Sequence, residues 1–173
     1  IPPVGEDPKP YFLKLKDMNE KVILILILIL AFFLRIVNIQ NSPPSLYGDE
    51  LTIALDASSL LHQGVDQLGN RLPLTFAMGA GRPAGYVYGS IPFIAVFGPT
   101  VLGVRMLSIL SGVGVVFLLY LISRKLFSER VGIAAASIAA VSPWDISLSR
   151  AGFEAHLALF LSLLCIYFIF LSK

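Results

Sequence analysis

The chain has 173 residues, 56% of them hydrophobic and 14% charged, with a mean hydropathy of +0.81, whereas ordinary soluble domains carry roughly 25% charged residues. That balance excludes a water-soluble globular domain. With 13 Lys and Arg against 11 Asp and Glu and no basic run, it also excludes a disordered chain and a nucleic-acid binder. The expected class is an all-α integral membrane protein, because the apolar residues gather into segments of the about 17 to 25 residues a bilayer-spanning helix needs.

Residues 1–21 are Pro-rich and charged and lack the apolar core of a signal peptide, so they read as a solvated cytoplasmic arm. Residues 22–39 form the first expected span, uncharged until Arg35, which is placed to extend its head to the interface. A strand is ruled out there, since its backbone groups would stay unpaired in lipid. Residues 40–100 are rich in Gly and Pro yet studded with apolar residues, too apolar for a free linker and too broken for one span. Within them, residues 49–61 and 86–97 read as short helices lying along the membrane surface, the second cut short by Gly89, Pro92 and Gly98-Pro99. Further spans are expected over 101–123, 130–145 and 155–172, making about four. The lone Cys165 sits in the last of these as a small apolar filler. Beginning at Ile1 and ending just after an apolar run, the sequence reads as a piece of a longer chain.

Cations cluster before the first span (Lys14, Lys16, Lys21), between the second and third (Arg124, Lys125, Arg130) and after the fourth (Lys173). The bias of short loops toward positive charge on the cytoplasmic side then puts the 40–100 loop and the 145–154 loop outside. That outer side holds Asp49, Glu50, Asp56, Asp66, Asp145 and Glu154. An acidic pair at a helix start has two readings: it caps orphan N–H groups and suits the positive dipole end, or it removes a proton from a hydroxyl. Arg71, Arg82, Arg105 and Arg150 share the side; each either reaches lipid headgroups or pairs bidentately with a phosphate as a substrate-binding residue. Acids and arginines together suit displacement of a phosphate from a sugar carbon. Glu154 and His156, two apart, would point about 200° apart on a helix, so spacing singles out no metal site. His62 and His156 read as polar residues near helix ends.

Tyr47-Gly48-Asp49-Glu50, Gly64-Val65-Asp66 with Gly69, and Leu72-Pro73-Leu74 resemble the first exterior loop of GT-C membrane glycosyltransferases. Pro92 through Phe97-Gly98, Arg105 with Ser108 and Gly112, Arg124-Lys125-Leu126-Phe127, Ser142-Pro143-Trp144 and Ser149-Arg150 through Glu154 continue the pattern. Over residues 22–173 the chain most resembles the dolichyl-phosphate-mannose-protein mannosyltransferase group. The resemblance implies inverting transfer of a mannose-like sugar from a polyprenyl-phosphate donor to a protein or glycolipid acceptor at the exterior face of the plasma membrane. It implies no nucleotide sugar and fixes no cofactor, while a divalent metal is compatible with it. By that similarity Asp49 is the catalytic acid-base residue, Glu50 shapes the acceptor pocket beside it, and Glu154 matches the second acidic position. Members carry further spanning helices and often a C-terminal soluble domain, so this piece is expected to need them for activity. The rival readings are a transporter or channel module and a non-catalytic assembly subunit. A transport path calls for charges inside the spans, and none is expected there.

Overall fold

The computed structural model describes residues 9–77 and 81–172. Residues 1–8 of the expected arm and the terminal cation Lys173 lie outside the described residues. The described chain is helical, as expected: α1 (Lys9–Ile36), α2 (Gly48–Gln63), α3 (Ala84–Phe97), α4 (Val101–Leu126), α5 (Glu129–Val141), α6 (Pro143–Ser149) and α7 (Glu154–Leu171). A two-residue antiparallel pairing, β1 (Thr75–Phe76) with β2 (Arg82–Pro83), precedes α3.

α1, which covers the first expected span, already starts at Lys9, so part of the segment read as an arm is helical. Asn38 stops α1 by taking the left-handed conformation, φ +55°, that its short polar side chain tolerates. Both short helices of the long loop are present. Gly64, at φ +72°, ends α2 and returns its N–H to Leu60 O. α3 ends at Gly98 after 14 residues, about 21 Å at 1.5 Å per residue, less than a bilayer core.

α4 and α7 are each long and apolar enough to cross a membrane. The expected third span is not one straight helix. It breaks at Ser142 into α5 and α6, bent by 60°, and only together do they have spanning length and composition. Pro143 is the cause: it has no N–H for Ala139 O, and it is well suited to start the next helix.

α4 is the centre on which the other helices pack. On one side Ile53, Ala54, Ala57 and Leu60 of α2 and Tyr86, Val87 and Ile94 of α3 meet Val104 and Phe76. On the other, Ala31 of α1 and Ala136 and Ala140 of α5 meet Val116 and Tyr120. Small residues allow the close approach, as in membrane helix pairs generally. A Cβ on Gly132 would stand 3.0 Å from Tyr120 O, and one on Gly114 would stand 2.5 Å from the Phe160 ring. α7 lies at the edge with Leu159, Leu161, Ile166, Phe168 and Ile169 exposed, the surface a lipid-facing helix presents.

The structure corrects the reading of Arg35. Its side chain is wholly buried and does not extend to an interface: it donates to Ala31 O, to Ala140 O and Ala139 O across the α5–α6 break, and to Asp145. The carbonyl end of α5, where the helix breaks at Pro143, draws the guanidinium inward.

Candidate active site

The two adjacent acids at the start of α2 have opposite surroundings. Tyr47 is the residue before the helix, so Glu50 falls at its third position and reaches back to accept the Tyr47 N–H at 3.1 Å. Successive helical residues are about 100° apart around the axis. Glu50 therefore turns into the fold while the Asp49 side chain stays half-exposed.

Glu50 is completely buried against Arg105 of α4, which is also completely buried. Arg105 Nε donates to Glu50 Oε1 and Nη2 to Oε2, both at 2.8 Å. Gly152 N–H adds a 2.6 Å bond to Oε1. A carboxylate offers about four acceptor positions and a guanidinium five donors. The Tyr47, Gly152 and two Arg105 bonds fill the carboxylate. The remaining Arg105 donors go to Ile39 O, Pro43 O and Ser45 O, which fills the guanidinium. Burial pushes the Glu50 carboxyl up, but the bonds from Arg105, Gly152 and Tyr47 outweigh it and hold the group below its ordinary 4.5. Such a carboxylate is ionised and has no lone pair left for a proton from outside.

Asp49 is held from its other side. Arg82, brought there by the β1–β2 pairing, donates from Nη1 to Asp49 O and Thr52 Oγ1, each at 3.0 Å, and its Nη2 lies 3.7 Å from Asp49 Oδ1. The Thr52 hydroxyl donates in turn to Asp49 O at 2.9 Å. The main chain at Asp49 is therefore fixed while its carboxylate remains open to the surface.

The other residues singled out from sequence have separate places. Arg150 donates to Ser42 O, Leu34 O and Val37 O, closing the carbonyl end of α1. Asp56 accepts the Gln67 N–H, and Asp66 organises its own loop through Leu68 N, Asn70 N and the Asn70 amide. The Asn70 amide, against the opposing effect of burial and with the Asn70, Leu68 and Gly69 N–H groups, holds the Asp66 carboxyl below its usual range. Arg71 is exposed, and Glu154 is half-buried at the first position of α7. His156, two residues on, turns inward and is buried beside Asp145. Among the described residues no three His, Cys, Asp or Glu side chains gather as a metal ion would need.

Sequence reasoning missed the Arg35–Asp145 pair. The signal was the Ser142-Pro143-Trp144-Asp145 run, a helix start with Pro at its first position and an acid at its third, which announces new orphan carbonyls just upstream.

The fold is that of an all-α membrane protein whose helices are joined through buried arginines. Residues 85–173, just over half of the chain, match the family described as dolichyl-phosphate-mannose-protein mannosyltransferase, and the chain belongs to that family of GT-C-type membrane glycosyltransferases. No curated protein and no solved structure matches the chain. Arg105, Arg150 and Glu154 lie inside the matched segment, and Asp49, Glu50, Arg71 and Arg82 lie before it.

Proposed function

We propose that the chain carries the acceptor-activating part of an inverting transferase that moves a mannose-like sugar from a polyprenyl-phosphate donor to an acceptor hydroxyl outside the membrane. Asp49 is the base. Its carboxylate takes the acceptor proton, the acceptor oxygen bonds to the anomeric carbon, and the bond from that carbon to the phosphate oxygen breaks with its electron pair leaving on the polyprenyl phosphate. The observation that carries this reading is the contrast between the two adjacent acids: Glu50 is buried and saturated, while the Asp49 carboxylate is half-exposed and has only the 3.7 Å ion pair to Arg82 against it. Glu50 therefore serves as the anchor of the acceptor side and not as a second base. Arg105, Arg150 and Arg82 are engaged within the fold, Arg82 against Asp49 and Thr52, so the exposed Arg71 is the proposed contact for the leaving phosphate and Glu154 for the acceptor. The acceptor is a protein or glycolipid hydroxyl, and the plasma membrane is the proposed location.

The test is sugar transfer from a synthetic polyprenyl-phosphate mannose by the full-length chain in membranes. Asp49→Asn, which preserves size at the second position of α2, is expected to lower turnover on the order of 10²- to 10⁴-fold without loss of folded protein. Asp56→Asn, at a carboxylate turned toward the 64–71 loop, is expected to transfer at nearly the parent rate. Full activity of Asp49→Asn would remove the carboxylate mechanism from this loop and leave Glu154 as the remaining candidate.

A further inference from the structure

Three ionisable side chains from three helices meet in the interior, apart from Asp49. Arg35 of α1 and His156 of α7 are buried, and Asp145 of α6 keeps 14% of its side chain exposed. Asp145 Oδ2 receives Arg35 Nη2, and Oδ1 lies 3.4 Å from His156 Nε2, a contact short of a hydrogen bond. Gly112 of α4 makes room for the group. A Cβ there would stand 2.7 Å from Ser149 Cβ, 2.9 Å from Arg35 Nε and 3.1 Å from His156 Nε2. α5 contributes the Ala139 and Ala140 carbonyls, which accept from Arg35.

Burying ions in a membrane protein costs free energy that apolar side chains of the same volume would not incur. Asp145 and His156 stand on either side of the link formed by residues 150–153, so one carboxylate touches both helices that flank it, and Arg35 ties that carboxylate to α1. The link in turn supplies Gly152 N–H to Glu50 and Arg150 to the end of α1, and it stacks Phe153 on Tyr47 with ring centres 6.3 Å apart. Tyr47 is two residues from Asp49.

We propose that Asp145 is a positioning residue: with Arg35 and His156 it holds the 150–153 link against the start of α2, and so fixes the second loop relative to Asp49. The catalytic consequence rests on the reading of Asp49 as the base; the hold itself does not.

The experiment uses the full-length chain in membranes with Cys165→Ser. Tyr47→Cys and Phe153→Cys together are trapped with a short bifunctional thiol reagent, and turnover is measured separately with Tyr47 and Phe153 in place. The thiol pair is expected to cross-link readily. Asp145→Asn should slow cross-linking by about tenfold or more, since it leaves the Arg35 cation without its carboxylate. It should also lower kcat on the order of 10²-fold, as a misplaced reacting geometry does, with acceptor KM changed by no more than about threefold. Asp145→Glu should recover part of both. If Asp145→Asn does not fold, His156→Gln leaves the Arg35–Asp145 pair in place and is expected to slow cross-linking to a lesser but measurable degree. Parent-rate cross-linking in the folded variants overturns the proposal. Slowed cross-linking together with full transfer by Asp49→Asn supports the hold and overturns the reading of Asp49.

Discussion

At the scale of single residues, the division of labour between neighbours is set by hydrogen-bond saturation. Glu50 and Arg105 satisfy each other and five main-chain groups, so removing either strands a buried charge. Arg105→Ala and Glu50→Gln are each expected to destabilise the fold by about 3–5 kcal/mol, read as a lower thermal unfolding temperature of the purified chain, whereas Asp49→Asn should leave it nearly unchanged. Arg105→Lys should rescue little, because an ammonium cannot reproduce a planar five-donor fork. The same bonds set a pH dependence. The folded state holds Glu50 below its ordinary 4.5, so the unfolded state binds more protons as the pH drops. The Glu50 contribution is therefore present in full above about pH 4.5 and lost as the pH falls through the lower folded value. Unfolding temperature measured from pH 7 down to 3 should decline in the parent more steeply than in Glu50→Gln.

At the scale of elements, two helices show how local rules and packing share control. α2 begins where Glu50 reaches back to Tyr47 and ends at a left-handed glycine, and its Ile53, Ala54, Ala57 and Leu60 face is buried. That buried face predicts slow hydrogen exchange from Ile53 to Leu60 in the intact protein, and free exchange through the whole segment would mean the helix is not docked. α4 is defined by what it lacks. Gly112 lets Arg35, Ser149 and His156 rest directly on its backbone. Gly112→Ala is expected to cost about 1–3 kcal/mol by overpacking, measured by thermal unfolding, and to slow the cross-link between the first and second loops.

At the scale of the whole molecule, the proposed topology places the 40–100 loop outside and the α4–α5 turn in the cytosol. In a Cys165→Ser background, Leu68→Cys, at a position 69% exposed, should react with an impermeant thiol reagent added to intact cells. Lys125→Cys should react only after permeabilisation; the reverse pattern would invert the topology and remove the proposed site from the outer face. Composition and the run of apolar segments were enough to determine a helical membrane protein, because backbone groups in lipid have no partners but their own helix. The two short helices and the carboxylates at the start of α2 were also legible, since caps and turn glycines act within a few residues of chain. Which of two adjacent acids faces outward was not legible, nor that Arg35 turns in to Asp145, nor that Arg105 and Arg150 spend their donors on carbonyls. Those outcomes depend on groups 55 to 116 residues apart in the chain. Only the packed helices bring such groups within hydrogen-bond reach, and a buried charge takes whatever partners the tertiary structure leaves unsatisfied.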